Sequence, residues 1–181
     1  CFGPKNQGLS KEETEARARE ALIQVGLDEK LWQQSPFELS GGQKRRVAIA
    51  GVLAMHPEVL ILDEPTAGLD PKGRDEILDE ISALHREHHM TIVLVSHSME
   101  DIARYADRIM VMNHGEKVFD APPKEVFRHY KELEAIGLAA PQITYIVQGL
   151  KEHGMPIADD ITTVTEARDA ILHLLGKDER P

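Results

Sequence analysis

Apolar positions along the chain recur first at helical and then at strand spacing. Ser10 with Glu13 three residues later forms a capping box, and Ala18, Ala21, Leu22 and Val25 follow at helical intervals until Gly26 ends the pattern. A helix over about 10–25 is predicted. Trp32 and Phe37 flank a connector into Leu39-Ser40-Gly41-Gly42-Gln43, beyond which Val47, Ala48, Ala50, Gly51 and Leu53 predict a second helix packed through small residues. The character then changes. Val59-Leu60-Ile61-Leu62 is a continuous apolar run closed by Asp63-Glu64-Pro65, the pattern of a parallel strand buried on both faces. Ile77, Leu78, Ile81 and Leu84 then mark one face of a helix over 71–88, and Thr91 to Val95 is the next buried strand. Strand, helix and strand in this order form a βαβ unit. A helix over 99–105 precedes two short strands, 108–112 and 116–119, joined by the hairpin signal Asn113-His114-Gly115. From Pro122-Pro123 onward the chain reads as helices separated by Gly137, Gly154 and Gly176, with Pro141 at a first helical position and a capping box at Thr163 and Glu166.

The expected fold is α/β in three parts: a helical subdomain (1–57), half of a nucleotide-binding sheet (58–121) and a C-terminal helical extension (122–181). About sixty residues form a marginal core alone, so part of the extension's apolar surface is expected to pack on the sheet and part on a partner subunit.

Composition narrows the function. The 181 residues are 41% hydrophobic, enough for one substantial core, and carry a formal charge of −10. Without a long Lys/Arg block, that acidity argues against general electrostatic binding of nucleic acid, so any phosphate site must be local. The single cysteine, Cys1, permits no disulfide within the chain and suits a reducing cytosol. No apolar run approaches the ~18 residues that a bilayer requires, so a membrane role is expected to be peripheral. The opening Cys1-Phe2-Gly3-Pro4 has no initiator Met, and the sequence is expected to begin inside a longer chain.

Four short features carry candidate chemistry. Ser40, Gly41, Gly42 and Gln43 open a helix, where backbone N–H groups and a hydroxyl at the positive end of the dipole make an anion site; an ordinary helix cap has the same look. Asp63 and Glu64 lie at the carboxyl end of a buried strand, where open parallel sheets place ligands. There Asp63 would hold Mg²⁺ and Glu64 would orient or deprotonate a water, unless both acids merely begin a solvated loop. Gly68-Leu69-Asp70 is a turn before Pro71, unremarkable by itself. His97 follows the next strand, where a neutral imidazole could contact a γ-phosphate or the same water, although a strand-end His is more often structural.

In this order and spacing the four features resemble the ATP-binding-cassette (ABC) ATPases, as signature motif, Walker B with its catalytic Glu, D-loop and switch histidine. Ser35 to Leu39, Arg46 to Met55, Ala67 to Arg74, Phe2 to Asn6, Pro122 to Phe127 and Leu133 to Leu138 look like the energy-coupling-factor branch, and within it the second of two paralogous ATPases. That resemblance implies ATP and Mg²⁺ as cofactors and uptake of vitamins or transition-metal ions. It implies a head-to-tail dimer with a paralogous ATPase, beside a transmembrane coupling subunit and a substrate-binding membrane subunit, on the cytoplasmic face of the membrane. Ser40, Gly41, Gly42, Gln43 and Asp70 would then meet ATP across the dimer interface, while Asp63 (Mg²⁺), Glu64 and His97 serve the chain's own nucleotide. The alternative is an ABC-type ATPase of another importer or of chromosome maintenance or DNA repair; the absence of sustained heptads disfavours the latter.

A phosphate-cradling Gly-x₄-Gly-Lys-Ser/Thr loop appears nowhere in the sequence. The stretch Gly3 to Ser10 has both glycines and the hydroxyl, but Leu9 stands where the ammonium must be and Pro4 removes a backbone donor. In the family this stretch follows the glutamine loop, so the chain reads as a C-terminal fragment, inactive alone. His85, His88 and His89 are expected to decorate a helix C-terminus, and Lys44, Arg45 and Arg46 to form a solvated or interface face.

Overall fold

The computed structural model describes residues 2–176, so Cys1 lies outside the described residues. The chain divides into two compact units, Cys1–Val95 and Ser96–Pro181.

The first unit begins with helices α1 (Phe2–Asn6), α2 (Lys11–Gln24) and α3 (Gly41–Leu53). Ser10 caps α2 through the predicted box with Glu13, and the chain leaves α2 at Gly26, whose φ of 61° needs glycine. Gly3 is part of α1, where a Cβ would run into Met55 at the far end of α3. The sequence that mimics a phosphate loop is therefore a helix docked on a helix, and the Ser10 hydroxyl is spent on capping. Strand β1 (Val59–Asp63), helix α4 (Pro71–His88) and strand β2 (Thr91–Val95) form the βαβ unit, with β1 and β2 parallel and Asp63 opposite Val95. Ile77, Leu78, Ile81 and Leu84 are the buried stripe of α4, as their spacing predicts.

The strands depart from expectation in one respect. Leu60 is 2% exposed, but Val59 and Ile61 are 50% and 67% exposed, and Val93 and Val95 are also open. A βαβ connection lays its helix on one face of a sheet, and burying both faces needs a second layer. These two strands thus alternate, although their composition suits burial on both sides.

The second unit contains α5 (Met99–Tyr105), strands β3 (Ile109–Asn113) and β4 (Glu116–Ala121), and helices α6 (Pro123–Arg128), α7 (Tyr130–Ala135), α8 (Gln142–Glu152) and α9 (Val164–Leu174). The β3–β4 hairpin turns through His114 and Gly115, both at positive φ, which matches the right-handed strand twist. Pro141 stands at the cap of α8, one position before the predicted one. Ile109 and Val111 share a core with Val126, Phe127 and Leu133, so residues after Pro122 pack on this hairpin. Val147, Ile157, Ile161 and Ala167 form a second core between α8 and α9. Among the described residues no helix is long and apolar enough to cross a membrane.

Glu166 fastens this second core. Partial burial pushes its carboxyl up, but bonds from the Thr162 and Thr163 backbone and from Lys124 outweigh that and bring it down to about 2 from 4.5. A group depressed in the folded state stabilises fully above its unfolded value, and that stabilisation is lost as pH falls through its folded one. Acid unfolding of this unit, followed by circular dichroism, is therefore expected to steepen between pH 4.5 and about 2, and Glu166→Gln should flatten that segment.

Candidate functional site

Two helix N-termini and one strand end build the site in the first unit. Ser40 caps α3: its hydroxyl oxygen accepts from the Gln43 N–H at 3.3 Å, and Gln43 Oε1 accepts from the Ser40 N–H at 2.8 Å. The sequence suggested a row of backbone donors aimed into open space. The capping box occupies two of them, leaving Gly41 and Gly42, the first two residues of the helix, without an intrahelical acceptor. The Ser40 hydroxyl, acting here as acceptor, keeps its proton to donate.

Asp70 caps α4 by accepting from the Gly73 N–H at 3.0 Å, which turns its carboxylate toward its own helix. A Cβ at 73 would stand 2.7 Å from Asp70 Oδ1, so a larger residue there would make the capping carboxylate shift. The turn before Asp70 passes through Gly68 at φ 75° and is closed by the Leu69 N–H on the Thr66 carbonyl at 3.2 Å. A cavity of about 570 Å³ is lined by Ser40 to Gln43 from one side and Gly68 to Asp70 from the other, with Arg46, Lys72 and Glu76 in its wall.

Asp63 is the exposed last residue of β1, and Glu64 follows it half-buried. The Glu64 backbone has φ 46°, a left-handed conformation that costs a residue with a Cβ about 1–3 kcal/mol. It is held there by its N–H on the Val95 carbonyl at 2.9 Å, while Arg45 of α3 approaches its carbonyl oxygen at 3.4 Å. A single exposed Asp at a strand end fits Mg²⁺, which takes one or two carboxylates and fills its remaining positions with water and phosphate oxygens. Among the described residues there is no group of three or more His, Cys, Asp or Glu side chains that could hold a metal by itself.

His97 lies in the second unit, two residues after β2 and just before Ser98, the cap of α5. Of the other histidines, His85 bonds the Met90 carbonyl at 2.7 Å through Nδ1, and His89 ends α4 in the left-handed conformation. Both belong to a helix terminus, as expected.

The basic run reads differently in the structure. Arg46 is not on a solvated face: its side chain is 15% exposed and pairs with Glu76 and Glu80 of α4. The sequence does contain a signal for it, since Glu76 and Glu80 are four apart and share one face of a helix. Nothing local says that Arg46 would reach them.

The fold and these motifs are similar to those of ATP-binding-cassette proteins. The family model described as ABC transporter matches residues 3–67. With the identities that follow, it makes the chain similar to the ATP-binding proteins of ABC transporters. Its relatives are more specific: it is 60% identical, over 97% of its length and 62% of the relative's, to the energy-coupling factor transporter ATP-binding protein EcfA2 of Clostridium tetani. It is 55% identical to the EcfA2 of Clostridium perfringens, over 96% and 61%. The chain therefore spans about 62% of the length of the relatives it matches. Among solved structures, cbiO1 of Clostridium perfringens, described as part of the ABC transporter complex cbiONQ, is similar at TM-score 0.65 and 40% identity, covering 81% of this chain and 58% of that one. A dimeric bacterial ABC transporter cassette follows at TM-score 0.54 and 36% identity, over 64% and 49%.

Proposed function

We propose that the chain belongs to the ATP-hydrolysing subunit of an energy-coupling-factor importer, acting on the cytoplasmic face of the membrane to power uptake of vitamins or transition-metal ions. The observation that supports it is the opening of the α3 N-terminus and the Gly68-Leu69-Asp70 turn onto one cavity, in a chain this similar to EcfA2 proteins. A paralogous ATPase packs head to tail against this face, and a coupling subunit and a substrate-binding subunit complete the transporter in the membrane.

The roles divide by site. The Gly41 and Gly42 N–H groups and the Ser40 hydroxyl donate to the phosphates of ATP bound by the partner, at the positive end of α3. Gln43 keeps Ser40 in its capped rotamer, and Asp70 fixes the turn beside it. On the chain's own side, Asp63 holds Mg²⁺, Glu64 takes the proton of the attacking water, and His97 donates to the γ-phosphate or orients that water. Bound Mg²⁺ supplies charge neutralisation at the phosphates. Because the site is divided between two proteins, the groups meet only when the dimer closes, and hydrolysis follows closure.

Gly42→Asp tests the trans role. A Cβ at 42 meets nothing within 4 Å, and an acid in a first helical turn suits the dipole, so the fold should tolerate it. Its charge would repel the phosphates. In the protein expressed from its native gene with the paralogous partner, ATP-driven dimerisation and hydrolysis are expected to fall by ~10²-fold or more. Hydrolysis at the wild-type rate would refute the assignment of this loop.

A further inference from the structure

We infer that Arg46 is a positioning residue, which holds the signature loop and the Gly68-Leu69-Asp70 turn in one register so that they meet a nucleotide as a single surface. This rests on the trans role proposed above for those loops. A guanidinium carries its charge permanently and is costly to bury unless its donors are filled. Here they are engaged by three residues of two elements, α2 and α4. Nη1 donates to the Val25 carbonyl at the end of α2 at 2.9 Å and pairs with Glu80, while Nη2 donates to Glu76 Oε2 at 3.2 Å.

The space for this is prepared. At Gly26 a Cβ would stand 3.1 Å from Arg46 Nη1 and 3.3 Å from Glu80 Oε1, so a glycine in the left-handed conformation lets the guanidinium seat against the α2 terminus. Arg46 lies six positions after the Ser40 cap of α3, and Glu76 six positions after the Asp70 cap of α4. The clamp therefore joins the two helices within two turns of the loops that line the cavity, and Arg46 and Glu76 both form its wall. A planar fork bound at two nitrogens fixes the rotation of one helix against the other, which a single ammonium does not. Without it each loop keeps its own cap, but their mutual register is released. Misplacement of a reacting group by ~1 Å can cost ~10² in rate.

The test uses the protein expressed from its native gene, alone and with its paralogous partner. Arg46→Lys keeps the charge and removes the fork. ATP-driven assembly and kcat should each drop ~10-fold, with ATP affinity of the unpartnered subunit within ~2-fold of wild type and unfolding still cooperative. Wild-type assembly and kcat in Arg46→Lys, where Gly42→Asp abolishes both, would overturn the role of Arg46 and leave the trans role standing. An unaffected Gly42→Asp would overturn the trans role and this inference with it. A parallel loss of own-site ATP affinity and of cooperative unfolding would make Arg46 a general stabiliser and also overturn it. Should Arg46→Lys not fold, Glu76→Gln decides by the same readouts: a ~3-fold loss of assembly with own-site affinity intact supports the clamp, and no loss refutes it.

Discussion

Glu64→Gln in the assembled ATPase is expected to slow hydrolysis by ~10² to 10⁴, the usual cost of losing a general base. Glutamine has nearly the same shape, and two backbone contacts at position 64 do not involve the carboxylate: its N–H on the Val95 carbonyl and the Arg45 approach to its own carbonyl. The strained φ of 46° should therefore survive the change. Asp63, the proposed Mg²⁺ ligand, remains, and one negative charge of the proposed site is gone. Nucleotide binding should persist and the closed dimer should accumulate, visible as an ATP-dependent shift on size exclusion. Single-turnover hydrolysis at an undiminished rate would move the base elsewhere, with His97 the next group to test.

Calorimetric titration of Mg-ATP into the 181-residue chain by itself is expected to show no binding at micromolar ligand. Most affinity for a triphosphate in this kind of site comes from a Lys and a nest of backbone N–H groups in a phosphate loop, and the sequence contains no such loop. The one stretch that mimics it is the α1 helix and its exit, with Ser10 committed to the cap of α2. What the first unit offers instead is the N-terminus of α3, with two of its donors already engaged and Asp70 and Glu76 beside it. Asp63 adds repulsion, and the net charge of −10 does not help. A longer chain that supplies a phosphate loop and its Lys should bind in the same titration. Micromolar binding by the 181 residues would show a phosphate site that neither the motif pattern nor the helix termini account for.

The sequence by itself determined the elements and their order. The bounds of α4 and α5, the capping boxes at Ser10 and Thr163, and the hairpin at His114-Gly115 are set by bonds between residues no more than a few positions apart. The candidate residues Ser40 to Gln43, Asp63, Glu64, Asp70 and His97 were legible for the same reason, as short motifs at strand ends and helix starts. Tertiary structure decided the rest. Arg46 reads as surface in its own helix and becomes a half-buried clamp only because Glu76, thirty residues on, lies across from it. The left-handed backbone of Glu64 depends on Val95 in the neighbouring strand, and the alternation of β1 depends on which face α4 covers. Periodicity records that a residue is fit to be buried or paired. Which partner buries it is fixed only when distant elements meet, because that choice is made by packing and desolvation over the whole fold and not by bonds along the chain.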